Sequence, residues 1–598
     1  MASAISENNS RQLWSEVSKI RNKTTSIPNC IDNVNGNEDI SQLFAKKYND
    51  LYNSVSFEQS IMSDMFIKNS CDIQEACIND ADNDLFVHTH SITVLQVQSA
   101  IHKLKPGKSD CCDGFVSDNL KNGTYHFFTL ISLLFTAMLT HGVAPTGLLM
   151  STLVPITKNK RGNKCDSNNY RQIAISSLLG KLFDIIVLEE QENSLKTDKL
   201  QFGFKKNSST VTCTSLLLET IDYYNENNTD CYLLLLDASK AFDRVEYVKL
   251  FNTLRDRNMC PIVLRLLMNM YVNQTIQVRW NNIISDRCPI SNGVKQGGCL
   301  SPTLFSVYLN NLIEILRKSN IGCNYGNHYM GVYCYADDLS LLSPTLTGIK
   351  EMLNICEMYA IDHDIIFNAK KSQLLCFSST SNCAKGTINI KMQNSQPIPH
   401  VDSCMHLGNE LCSNNRNVLI GNAVSDLNCR LNNLLADFSH CDSNTLSSLF
   451  QSYCMNIYGS QMWQFNTRFV NQFFTCWRKA IRRLWKIPFR THNNLVHLIN
   501  KSHSIDIILE KRCIKYIWKL INNEHDLYNT IVKYSLYNNS TTIGENIRYF
   551  MYKCKITVDE WDQPLKVLYD KIDKYICQFK KIRYLVHCDG CPGIVRLT

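Results

Sequence analysis

The chain has 598 residues, with 62 Lys and Arg against 54 Asp and Glu for a net charge of +8. At about 150 residues per domain this length predicts several units, and 44% hydrophobic with 10% aromatic residues excludes a wholly disordered chain. The 23 Gly and 13 Pro exclude a collagenous chain, and the 27 scattered Cys fall below the share of about 8–10% that marks a disulfide scaffold. Reduced thiols and the lack of a basic flank and apolar stretch at the N-terminus predict a nuclear or cytoplasmic protein that is not secreted.

Residues 1 to about 85 are polar and Asn-rich, with a helix predicted over Asp39–Tyr52, where Ile40, Leu43, Phe44, Tyr48 and Leu51 share one face. A second helical pattern starts near Val94 and stops at Lys105-Pro106-Gly107. No Lys, Arg, Asp or Glu occurs from Asn122 to Thr157. The apolar run Phe127–Leu139 is too short for the roughly 20 residues of a membrane span, and Thr140-His141-Gly142 and Pro145 interrupt it. A buried helix, a turn and a short apolar element are predicted there, with no membrane partner. Between Thr152 and Phe377 strand-like runs alternate with amphipathic helices, and from about Ala423 the pattern is helical.

Two acidic positions carry the chemistry. Cys231–Leu236 is continuously apolar, as a strand buried on both faces would be, and it ends at Asp237, after which Ala238–Val245 could open a helix. Met330–Tyr335 and Leu339–Leu342 read as two strands with Asp337-Asp338 at the turn between them. Adjacent acids against apolar strands are costly unless a cation neutralises them. Mg²⁺ favours a few carboxylates plus substrate phosphates. Three carboxylates from neighbouring strands could hold two such ions about 3.5–4 Å apart, the arrangement used for in-line phosphoryl displacement. Taken singly, Asp-Asp is also an ordinary turn pair and Asp237 an ordinary helix cap.

Further motifs follow in a fixed order. They are Lys103-Leu104-Lys105-Pro106-Gly107-Lys108 with Asp113-Gly114, Pro155, Asn169-Tyr170-Arg171 and Gln201-Phe202-Gly203-Phe204. Asp237-Ala238-Ser239-Lys240-Ala241-Phe242-Asp243, Gly293-Val294-Lys295-Gln296-Gly297-Gly298-Cys299-Leu300-Ser301-Pro302 and Tyr335-Ala336-Asp337-Asp338 come next. Asn368 with Lys371 and His406-Leu407-Gly408 complete the set. The set resembles the reverse transcriptase of non-LTR, LINE-type retrotransposons of the jockey or CR1-like kind, over about residues 95–410. One departure is Gln172 after Asn-Tyr-Arg, where the family pattern has Pro.

The resemblance implies an α+β right-hand polymerase with fingers, an antiparallel palm sheet and a helical thumb, plus a helical C-terminal region. Its divisions would be a partly helical connector over 1–90, fingers and palm over 91–410, a thumb over 411–500 and a helical region over 501–598. It also implies an RNA-directed DNA polymerase taking an RNA template, a DNA primer or target DNA and dNTPs, with two Mg²⁺ ions for which Mn²⁺ could substitute. Asp237, Asp337 and Asp338 would hold the metals, helped by the main-chain oxygen of Ala238. Phe242 would exclude a 2′-hydroxyl, which separates this reading from an RNA-templated RNA polymerase; a plain core aromatic is its other reading. Lys158 and Arg171 would neutralise the triphosphate, with Lys160 and Arg161 near enough to replace Lys158. Gln296 and Gly297 would line the loop that meets base and template. Lys371 would protonate the departing pyrophosphate or be an exposed loop lysine. An apurinic-type endonuclease and an RNase H acid set are not expected.

Farther on, Phe474, Trp477, Ile481, Leu484 and Trp485 recur at helical spacing as a buried stripe, which leaves Arg478, Lys479, Arg482, Arg483 and Lys486 on the opposite face. That face could grip the phosphates of a duplex or be an ordinary solvated one. His587, Cys588 and Cys591, with Cys577, resemble a piece of a zinc knuckle, and no metal is expected there.

Overall fold

Six consecutive apolar residues, Cys231–Leu236, form the central strand of the sheet that carries the candidate site. A computed structural model of the chain describes residues 28–79, 91–111, 115–379, 388–413, 417–455, 457–500, 504–523, 526–537 and 541–583. The elements that position the site begin with helix α1 (Asn37–Tyr52), strands β1 (Met150–Thr157) and β2 (Tyr170–Ser176), helix α2 (Thr210–Glu226) and strand β3 (Cys231–Leu236). Strand β4 (Thr275–Trp280), helix α3 (Ser301–Lys318) and the hairpin of β5 (Val332–Tyr335) and β6 (Asp338–Ser343) follow. Helix α4 (Leu346–Asp362) and strand β7 (Gln373–Phe377) complete this part.

The palm sheet has the order β5-β6-β3-β7, and every pair in it is antiparallel. Leu233, Leu234 and Leu236 of β3 are buried, and helices α2 and α4 pack on the strand. A second sheet has β1 between β2, antiparallel, and β4, parallel. Helix α1 lies on it, with Phe44 5.3 Å from both the Tyr170 and Trp280 rings. Ile40 and Tyr48 join that core. Helix α1 therefore forms a fixed wall on the second sheet. With these two sheets and the helical half that follows, the architecture is the right-hand polymerase fold expected from the sequence.

Two local expectations differ from the structure. The Ala238–Val245 segment is not one helix: Ala238 bridges Phe367, Lys240 takes a left-handed φ of 53°, and a 3₁₀ turn covers Ala241–Arg244 before a helix starts at Tyr247. The apolar helix forms over Tyr125–His141 and ends at left-handed Gly142, but it is only half-buried. Ile131, Phe135 and Met138 face the core, whereas Leu130 and Leu133 are 64% and 60% exposed. Among the described residues, no helix is long and apolar enough to cross a membrane.

The described residues after Val418 are mostly helical, including α5 (Arg468–Leu484) and α6 (Thr542–Cys554). Helix α6 meets the palm end-on. Its Ile543 amide donates to Glu219 Oε1 of α2 at 2.8 Å, and its Thr542 amide to Asp222 Oδ2 at 3.4 Å. Buried carboxylates thus satisfy first-turn amides that the helix itself leaves unpaired. His587, Cys588 and Cys591 lie outside the described residues.

Candidate active site

The hairpin between β5 and β6 is tight: Tyr335 pairs with Asp338, leaving Ala336 and Asp337 as the turn. Ala336 takes a left-handed φ of 58°, a conformation that a non-glycine residue keeps only where its surroundings hold it. Gln201 supplies that support. Its Oε1 accepts from the Ala336 amide at 3.1 Å and the Gly203 amide at 2.9 Å, and its Nε2 donates to Ala336 O at 3.4 Å. The Phe202 amide also donates to Cys334 O at 2.7 Å. The Gln201-Phe202-Gly203 motif is therefore the clamp of the acidic turn.

Leu236 pairs with Leu339, so Asp237 and Asp338 occupy the next positions of one antiparallel ladder. Opposed Cα atoms in such a ladder stand about 4.5–5.5 Å apart. Asp237 O accepts from the Asn368 amide at 2.9 Å, and its own amide donates to Ser372 Oγ at 3.2 Å, which ties the strand end to the loop before β7. Its Oδ2 is buried without a hydrogen bond, 3.6 Å from Lys371 Nζ.

Burial, and then the Asp237 charge, raise the Asp337 carboxyl above its usual value. A cavity of about 10 Å³ lined by Ala238, Phe305, Cys334 and Asp337 shows the apolar side of this environment. Asp338 is open to solvent on one side, yet crowding by the sheet, together with Asp337 and Asp237, pushes its carboxyl up to about 6. Among the described residues no three His, Cys, Asp or Glu side chains are grouped closely enough to hold a metal ion as they stand. Adjacent residues of a strand point to opposite faces, so Asp337 and Asp338 diverge, and like charges separate further. The fit to a cation rests on the Asp337 and Asp338 carboxyls, both raised in part by the Asp237 charge, and on the buried, unbonded Asp237 oxygen. A side-chain rotation would be needed to close the set.

Basic residues surround these acids. Lys158 has Lys371, Lys240 and Arg171 as like-charged neighbours, and burial followed by their repulsion holds its ammonium below its usual value. The Lys158 ammonium donates to Asn168 O at 3.1 Å, and Arg171 is exposed on β2 opposite Ile156. Lys47 of α1 adds a further cation, bonded to Ser167 and Asn168 at 2.6 and 2.9 Å. A cavity of about 580 Å³ next to it is lined by Lys46, Lys47, Lys240 and Arg244.

Phe242 is half-buried, stacked on Phe305 with ring centroids 4.4 Å apart and edge-on to Phe204 at 6.3 Å. Both the packed and the substrate-facing readings of Phe242 thus have a surface to occupy. Phe204 itself is 55% exposed. Gln296 donates from Nε2 to Asp243 Oδ1 at 2.8 Å, and its carbonyl accepts from the Ala174 amide at 2.7 Å. At Gly297, with φ of 115°, an added Cβ would stand 2.8 Å from Ala174 O, so the bare backbone is required by strand β2. Gln201, Gly203, Phe204 and Asp243 had no role assigned from sequence. A motif glutamine or aspartate flanked by apolar residues was the available signal, and it does not say which distant amide it meets.

On α5, Phe474, Trp477, Ile481 and Leu484 are buried, while Trp485 is half-buried and bonded to Asn500 Oδ1 at 2.8 Å. The basic heads are largely engaged nearby: Arg482 donates to Thr491 O at 2.7 Å, Arg483 to Asn432 Oδ1 at 3.1 Å, and Lys479 lies over the Phe489 ring. Such partners favour local structure over a free gripping face.

A palm-type sheet with an acidic hairpin, beside a second sheet and a cationic wall, has the fold of a right-hand polymerase, and comparison narrows the class. Residues 156–411 match the family of reverse transcriptases (RNA-dependent DNA polymerases). The polyprotein of the type-2 retrotransposable element R2DM of Drosophila melanogaster is 26% identical over 36% of this chain and 20% of its own length. The RNA-directed DNA polymerase from mobile element jockey of the same fly is 23% identical over 53% of this chain and 35% of its own. A type-1 element R2 polyprotein of Nasonia vitripennis is 29% identical over 38% of this chain and 22% of its own. The chain thus spans about a fifth to a third of these relatives. The solved apo telomerase of Candida tropicalis, truncated of its C-terminal domain, is similar with a TM-score of 0.32 and 14% identity, over 51% of this chain and 61% of that one. Residues 156–411 thus match a reverse transcriptase domain, and the relatives to which the chain is similar are polymerases and polyproteins of retrotransposable elements. This family uses divalent metal ions and acts on nucleic acid and deoxynucleotides.

Proposed function

We propose that the chain is an RNA-directed DNA polymerase that adds dNTPs to a primer 3′-hydroxyl on an RNA template and releases pyrophosphate. The observation that carries this reading is the ladder register that puts Asp237 beside the Asp337-Asp338 turn. Asp237 and Asp337 would hold two Mg²⁺ ions, with Asp338 and the Ala238 carbonyl oxygen assisting. The ions, when bound, supply activation of the 3′-hydroxyl and neutralisation of charge on the α-phosphate. Lys158 and Arg171 bind and orient the triphosphate, Arg171 through its planar fork. Lys371 stands next to Asp237 and gives a proton to the leaving pyrophosphate. Phe242, backed by Phe305, blocks a 2′-hydroxyl.

The test is primer extension by purified protein on an RNA template carrying an annealed DNA primer, with Mg²⁺ and dNTPs. Template-length DNA is expected, and chelation with EDTA stops its appearance. Absence of any extension at saturating dNTP overturns the reading.

A further inference from the structure

Asp243 is buried at 2% exposure in the 3₁₀ turn after β3, among elements from three distant parts of the chain. Its Oδ1 receives Nε2 of Gln172 from β2 and Nε2 of Gln296 from the Gly-rich loop, each at 2.8 Å. Its carbonyl receives Nδ2 of Asn292 at 2.6 Å. The buried Tyr52 hydroxyl at the end of α1 stands beside the same carboxyl and makes no well-aligned hydrogen bond of its own. Packing leaves no slack: a Cβ at Gly293 would sit 2.7 Å from Asp243 O and 2.8 Å from the Tyr52 ring.

A carboxylate only accepts hydrogen bonds, whereas a glutamine amide has a donating end and an accepting end. Two amides that meet one carboxylate oxygen must both turn their NH₂ groups toward it. The Gln296 carbonyl oxygen Oε1 is thereby aimed away from Asp243, on a half-exposed side chain of the loop assigned to the nucleotide. We propose that Asp243 is a positioning residue that locks the Gln296 amide with its acceptor end toward the incoming nucleotide, where it receives a sugar hydroxyl. The inference rests on the polymerase reading above. It also gives Gln172 a part: in place of the proline of the family pattern, it supplies the second donor that holds the carboxylate in place.

Asparagine at position 243 has nearly the same shape but carries a donor, so one glutamine can turn over. The test compares dNTP with its 3′-deoxy analogue, which lacks the hydroxyl donor, in single-nucleotide extension by the full chain. For Asp243→Asn the preference for dNTP over the 3′-deoxy analogue, as a ratio of kcat/KM values, is expected to fall about five- to tenfold, the worth of one hydrogen bond. The fall lies mainly in KM, and Gln296→Leu gives the same loss. The double variant gives no further loss, because both changes remove one interaction. A ratio that stays within twofold of wild type while both substrates slow together assigns Asp243 a purely structural role and overturns the proposal. If Asp243→Asn loses its folded thermal transition, the ratio for Gln296→Leu decides alone: an unchanged ratio overturns the proposal. Wild-type protein that extends neither substrate would instead refute the polymerase reading.

Discussion

A methyl group at position 203 has nowhere to go. Its Cβ would stand 2.4 Å from the Ala336 amide nitrogen, backbone against backbone, directly under the turn that carries Asp337. Gly203→Ala must shift that turn, with an overpacking penalty of about 1–3 kcal/mol. A lowered melting temperature with a larger loss of primer extension is expected; wild-type values for both would show that the clamp does not hold the turn. Phe242 makes a different kind of prediction. Truncation to Ala removes the ring stacked on Phe305 and opens space beside the sugar. The preference for dNTPs over rNTPs is expected to fall about tenfold or more in competition assays, and an unchanged preference would return Phe242 to the core.

The acidic hairpin depends on a second element for its shape. Gln201 is fully buried and satisfies both the Ala336 and the Gly203 amides. Gln201→Met keeps the length of the side chain but leaves these donors unpaired, at about 1–3 kcal/mol for a buried group, so urea denaturation should begin earlier than in wild type. Strand β3 was legible in the sequence because burial on both faces removes alternation and leaves a plain apolar run. The β5-β6 hairpin was legible because two apolar runs bracket two acids. What could not be read were features set by distant partners. Ala238 leaves helical geometry to bridge Phe367, more than a hundred residues away. The Tyr125–His141 helix looks buried because all its residues are uncharged, yet only one face has a partner. For the same reason the acids could be named in advance, whereas Gln201 and Asp243, which hold their surroundings in place, could not be given roles.

Across the whole molecule, the palm and the C-terminal helices share a buried acidic contact. Burial and then Asp222 push the Glu219 carboxyl up to about 8, even though it accepts from the Ile543 amide. Its folded-state value lies above that of the unfolded chain, near 4.3, so the folded form holds the proton more tightly. The associated stability is fully present below about pH 4.3 and is lost as pH rises toward about 8. Glu219→Gln removes the titration, so the fall in unfolding free energy between pH 5 and 8 is expected to flatten. An equally steep fall would mean that this contact does not link the two regions. The cations of α5, turned to Thr491, Asn432 and Phe489, brace the same C-terminal half internally.

The central claim is that carboxylates from separate strands act together on one phosphoryl transfer. Single-turnover incorporation of one dNTP by Asp337→Asn, measured beside wild type on the same RNA template and DNA primer, tests it most directly. The variant keeps the shape of the turn and loses one charge. A rate reduced by at least about 10³-fold, a loss of roughly 4 kcal/mol from the barrier, with an unchanged thermal transition, is the predicted result. Incorporation at the wild-type rate would contradict the account.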